Sequence, residues 1–169
     1  FDTPVITTAI GLDIENQGHS SSTDVYAINV RAITAGTNRY GVYINAISGG
    51  TINVGLLNAA PTVFTPTTAQ NLAAGTAILA NATVVQITST GNVTSTAAPT
   101  IADGQDGQIL IIINVDSADT ITLSDQGTLA SSNLRLSATT IALAPRDNLT
   151  LVYNSTIGDW VQIGQVNVI

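Results

Sequence analysis

Three consecutive stretches of fourteen residues, 23–36, 37–50 and 51–64, repeat nearly the same pattern. Each opens on Thr (Thr23, Thr37, Thr51), with Tyr26, Tyr40 and Val54 at one shared position and Ala27, Gly41 and Gly55 at the next. Ala32, Ala46 and Ala60 align further along, and Gly36 and Gly50 close the first two units. A unit of this length holds one strand and one turn and cannot enclose a core, so it must stack on its neighbours or on other chains. Its Ala, Val, Ile and Tyr side chains stay in water unless a partner covers them. At about 25 cal/mol per Å² of apolar surface, that is a strong drive to assemble. Small residues at Ala27, Gly41 and Gly55 leave room for another backbone to approach. Closed three-fold association would end growth, whereas open head-to-tail packing would give filaments.

Composition narrows the partners. The chain has 169 residues, of which 44% are hydrophobic, only 4% aromatic and only 9% charged. A typical domain is roughly a quarter charged. The abundance of Thr, Val and Ile favours pleated, half-buried surfaces. Net charge is −7 with no lysine, and Arg31, Arg39, Arg135 and Arg146 are scattered. No basic stripe exists to neutralise phosphates or to draw the chain to an anionic bilayer, which argues against nucleic-acid partners. No apolar run reaches the roughly 18 residues that cross a bilayer, so membrane insertion is not expected. The absence of cysteine removes disulfides, thiolate catalysis and Cys-based zinc sites together. Phe1 reads as a processed terminus or as the start of an excised piece.

Residues 1–22 read as a strand over 5–10 and a polar loop over 17–22, and residues 23–64 as a β shaft. A connector over 65–80 follows, rich in Pro and Thr, in which 71–74 is the best place for a helical turn. From 81 to 169 short strands alternate with turns. Strands are expected over 84–88, 93–96, 108–115, 120–123, 133–136, 139–143, 148–153 and 159–163. The Ile-Leu-Ile-Ile-Ile run within 108–115 reads as a strand buried on both faces. Gly91-Asn92, Asp103-Gly104 and Asp106-Gly107 mark turns. Strands at this spacing suggest a β-sandwich or jelly-roll-like head.

Candidate chemistry is sparse. His19 is the only histidine and lies in a Gly/Ser loop, without the partners that a metal or general-base role needs. Asp103, Asp106 and the stretch from Asp116 to Asp119 offer oxygens to a hard cation. They lack EF-hand spacing, and Asp-Gly pairs are turn formers first. Asp147 and Asp159 are a conceivable glycosidase pair, but Trp160 and Tyr153 read as core rings of a hairpin rather than as a sugar platform. There is no Gly-x-Ser-x-Gly elbow and no phosphate loop with a lysine. Glycosylation-type triplets start at Asn81, Asn92, Asn148 and Asn154, as chance allows in an Asn/Thr-rich chain. No cofactor, no metal and no enzymatic activity are expected.

Two sets of residues carry a resemblance. One is Thr37-Asn38-Arg39-Tyr40-Gly41-Val42-Tyr43 followed by Ala46-Ile47-Ser48-Gly49-Gly50. The other comprises residues 101–108, Asn133-Leu134-Arg135-Leu136, Asp147-Asn148-Leu149-Thr150-Leu151 and Trp160-Val161-Gln162-Ile163-Gly164. Together they resemble the distal part of bacteriophage tail fibres and receptor-binding proteins. The first 22 residues match no part of that pattern. The resemblance implies a β-rich homotrimer exposed on a virion, joined to other tail proteins and attaching to a host-surface glycan or protein. It carries over no catalytic residue.

Recognition would then fall to loops 103–107, 124–133 and 154–159, since loops on rigid scaffolds usually carry binding. Asp103, Asp106, Asp125, Ser131, Ser155 and Asp159 are the receptor-facing candidates. The alternative class is a subunit of a prokaryotic extracellular filament or surface layer that donates its 5–10 strand to a neighbour. A capsid decoration protein is a further reading.

Overall fold

In a computed structural model of the chain, residues 62–167 are described. Among them are nine strands and no helix. In chain order these are β1 (Gln70–Leu72), β2 (Val84–Ser89), β3 (Val93–Thr94), β4 (Ile109–Asn114), β5 (Ile121–Ser124), β6 (Leu134–Arg135), β7 (Thr140–Leu143), β8 (Asn148–Asn154) and β9 (Asp159–Val166). All eight strands expected after residue 83 are present, and the all-β expectation holds. The fourteen-residue repeats lie outside the described residues except for their last three positions, 62–64, and so do the 5–10 strand, the 17–22 loop and His19.

The strands form a six-stranded sheet, ordered β1-β2-β4-β8-β9-β6, and a three-stranded sheet, ordered β3-β5-β7. The chain first winds in one sense. β2 lies parallel to β1, β4 parallel to β2 and β5 parallel to β3, and Ile78 bridges Ile101 in parallel. Each stretch of chain therefore lies beside the one before it. The direction then reverses. β7 runs antiparallel to β5, β8 antiparallel to β4, and β9 antiparallel to β8. Only the second half has the hairpin pairing that short turns permit.

Alternation along the strands defines one core. Val85 and Ile87 of β2, Leu110 and Ile112 of β4, and Leu149, Leu151 and Tyr153 of β8 point inward from the large sheet. Ile121, Leu123, Ile141 and Leu143 come from the small sheet, and all belong to the same buried cluster. Trp160 is fully buried and meets Tyr153 edge-on at 5.1 Å between ring centres. The hairpin reading of 153–160 therefore holds, with Tyr153 opposite Trp160 in the ladder.

Two expectations need correction. Residues 71–74 do not form a helical turn. Gln70–Leu72 instead pair with Ile87–Ser89 as strand β1, and the Gln70 amide grips the Leu79 backbone through both its donor and its acceptor. Tertiary pairing overrides the weak helix propensity of the Asn-Leu-Ala-Ala run. The Ile-rich strand β4 is buried on one face only: Leu110, Ile112 and Asn114 are enclosed, whereas Ile109 stays 49% exposed and Ile111 and Ile113 half-buried. Segment 65–80 also supplies Leu72 and Ile78 to the core.

Candidate functional site

The three candidate loops are tied to one another. In loop 103–107 the Asp106 carboxylate accepts the backbone N–H of Ser155 from loop 154–159 at 2.9 Å. Gly107, with φ near +74°, donates its N–H to the Tyr153 carbonyl, and Tyr153 in return donates to the Gln108 carbonyl. The positive φ suits glycine, which meets no Cβ clash there. The third loop, 124–133, joins through Asn133, whose side-chain amide donates to the Ile101 carbonyl (2.7 Å) while its oxygen accepts the Ile101 N–H (3.2 Å). A side chain here takes the place of a neighbouring strand, filling the rung between Ile101 and β6. The same amide nitrogen reaches Asp103 at 3.4 Å.

Beneath these loops lies the Trp160 indole, whose Nε1 donates to the Ala102 carbonyl at 3.1 Å. Gly104 crosses its face so closely that a Cβ there would stand 2.7 Å from the ring. The ring alone requires glycine at this position, because, of the turns expected at Asp103-Gly104 and Asp106-Gly107, only the second forms, and the Gly104 backbone has no positive φ. A buried hydroxyl relay continues under loop 124–133, where Ser132 Oγ donates to the Ser124 carbonyl and shares a hydrogen bond with Thr100 Oγ. Ser131 is exposed and adopts φ near +68°, a conformation that non-glycine residues seldom take.

The carboxylates anchor the loops. Asp159 is buried and accepts the Arg135 Nε at 2.7 Å. Asp125 accepts N–H groups from Leu136 and Gly127. Burial pushes its pKa up, but those backbone bonds, Arg135 and the Gln126 N–H together hold it below the ordinary carboxylate value. The Asp106 pKa is lowered by its bonds to Ser155. The Tyr153 phenol is shifted upward, first by burial and then by the nearby charges of Asp103 and Asp159. All six candidate residues, Asp103, Asp106, Asp125, Ser131, Ser155 and Asp159, therefore belong to loops that are hydrogen-bonded into one assembly. The sequence reading missed Asn133 and Arg135 as the residues that join it. Their only signal is a polar residue on each side of Leu134 in a short strand.

The other candidate chemistry does not converge. Asp147 caps the β7–β8 turn by accepting the Ala144 N–H, while Asp159 sits at the far end of the seven-residue strand β8, opposite Asn154. At about 3.3 Å per residue this places them on the order of 20 Å apart. A glycosidase pair stands about 5–10 Å apart. Among the described residues no group of three or more His, Cys, Asp or Glu side chains can hold a metal ion. Asp116 instead forms a structural corner, accepting from Thr88 Oγ1 and from the N–H groups of Ala118 and Asp119. These bonds, with a further one from Ser89, hold its carboxyl far below the usual range.

Comparison with protein-family models gives no match, and comparison with curated proteins gives none either.

Proposed function

We propose that this chain is a structural module of a bacteriophage tail fibre, and that its loop assembly attaches the virion to a host-surface glycan or protein. The repeats over 23–64 form the shaft in this reading, the two sheets form a sandwich-like head, and three copies associate. The observation that carries the proposal is the joining of loops 103–107, 124–133 and 154–159 through Asp106, Asn133 and Arg135. Recognition gains from a surface whose ordering cost has been met before the ligand arrives. The sequence resemblance supplies the setting, a virion protein outside the cell in contact with other tail proteins. The module acts by binding and not by catalysis.

The test is retention on cells. Fluorescently labelled full chain is applied to a panel of bacterial strains, beside a Gln105→Trp variant that fills the exposed centre of loop 103–107. Saturable binding to some strains, lost in the variant at unchanged solution mass, is the expected result. Binding that the variant retains in full, or no binding to any strain in a broad panel, overturns the assignment.

A further inference from the structure

The outer face of the six-stranded sheet carries a composition that the loop assembly does not explain. Three cross-strand rows cover its centre. The first is Ile109, Val152 and Val161. The second is Val84, Ile111, Thr150 and Gly164, and the third is Gln86, Ile113, Asn148 and Val166. The antiparallel part of this mixed sheet, β4, β8 and β9, should be polar on a solvated face. This one is mostly aliphatic, with no charged residue on β2, β4 or β8 in these rows and Arg135 of β6, paired with Asp159, at its edge beside Val161; Ile109, Ile163 and Val166 are 49%, 59% and 54% exposed. Between residues 62 and 167 the chain has seven aspartates and two arginines. All but two lie in turns, loops or strand termini away from these rows; the exceptions are Arg135, which pairs with Val161 at the edge of the first row, and Asp159, its ion-pair partner.

We infer that this face is where copies of the chain meet, with the Ile109-Ile111-Ile113 stripe of β4 at the centre of the contact. Charge selects the occupant. Two acidic chains repel unless they touch where neither carries net negative charge, and these rows are such a place, since the one arginine at their edge is offset by Asp159. A basic partner would find no carboxylate on them. A glycan would find no aromatic ring, and a bilayer would find no aromatic rim and a single arginine already held by Asp159. Four strands at about 4.8 Å spacing and some 20 Å in length present on the order of 400 Å². That falls in the range of functional patches on single chains, and it is about half the roughly 800 Å² that each partner of a standard interface buries. The contact therefore works together with a second one, which rests on the proposed association of the 23–64 repeats.

The test uses the full chain, which has no cysteine of its own. Light scattering over a dilution series compares wild type with Ile111→Arg. The inference expects the concentration for half-dissociation to rise at least tenfold in the variant. A nitroxide on Thr150→Cys should give short interchain distances, and one on Thr156→Cys, in loop 154–159, long ones. Those distances decide the matter even if Ile111→Arg fails to fold. A trimeric wild type whose Ile111→Arg form dissociates no more readily, or whose Thr150 labels lie no closer than the Thr156 labels, overturns this face and leaves the trimer standing. A two-copy or open-ended wild type that Ile111→Arg disperses supports the face and rejects the trimer. A wild type that stays single at every concentration overturns both.

Discussion

The loop end of the molecule and the outer face of its large sheet use side chains in opposite ways. At the loop end four polar side chains are engaged inside the protein: Asp106 by Ser155, Asp125 by Leu136, Asp159 by Arg135 and Asn133 by Ile101. On the outer face the side chains of β4, β8 and β9 are mostly aliphatic, with the Arg135–Asp159 pair at the edge. The contrast teaches that rigidity and stickiness are separated here. One surface is cross-linked by hydrogen bonds, and the other is the mostly aliphatic face proposed to meet further copies.

The largest expected effect comes from removing the floor of the loop end. Trp160→Ala deletes a fully buried ring and the hydrogen bond to Ala102. It should cost about 3–5 kcal/mol in denaturant unfolding, and should loosen loop 103–107 more than any strand in hydrogen exchange. Asn133→Ala should cost about 2–4 kcal/mol, because it strands both the N–H and the carbonyl of buried Ile101. Its signature is faster exchange at Ile101 with β4 unchanged. A uniform loss across all strands would mean that the amide holds the whole core and not this rung alone.

Gly104→Ala comes next, at about 1–3 kcal/mol, since the new methyl must displace the Trp160 ring. Tryptophan fluorescence should shift with it. At the other surface, Ile109→Thr should change stability by about 0.5 kcal/mol or less in the single chain. If it destabilises a dissociated chain as strongly as Gly104→Ala does, the outer face is part of the fold and the contrast fails.

Acid should separate the two regions as well. Asp106, Asp116 and Asp125 have lowered values in the folded protein. Their contribution is fully present above the unfolded value of about 4 and is lost as pH falls through the lower folded values. Unfolding free energy should therefore decline below about pH 4 and stay flat with respect to these groups above it. Asp106→Asn should reduce that acid slope. Substitutions at Ile109, Ile111 or Ile163 on the outer face, which carry no charge, should leave it unchanged.

Much of this arrangement was legible in the sequence. Turn dipeptides and alternating runs located the strands from Val84 onward, and the Tyr153–Trp160 hairpin followed from two aromatic residues either side of a polar turn. The parallel winding of β1, β2 and β4 was not legible, because parallel partners are set by distant packing and leave no local turn signal. β1 was hidden for the same reason. Asn133 was hidden because its function lies 32 residues away, at Ile101. The Ile-rich stretch was read as doubly buried because an aliphatic run looks alike whether its second face meets its own chain or another copy. That ambiguity is the physical content of the outer face.

Sedimentation equilibrium of the full chain across a wide dilution range bears most directly on the idea that this face and the repeats must be covered by other copies. The account predicts a species of three times the 17.3 kDa chain mass that gives way to single chains only on strong dilution. A single 17.3 kDa species at every concentration would contradict it.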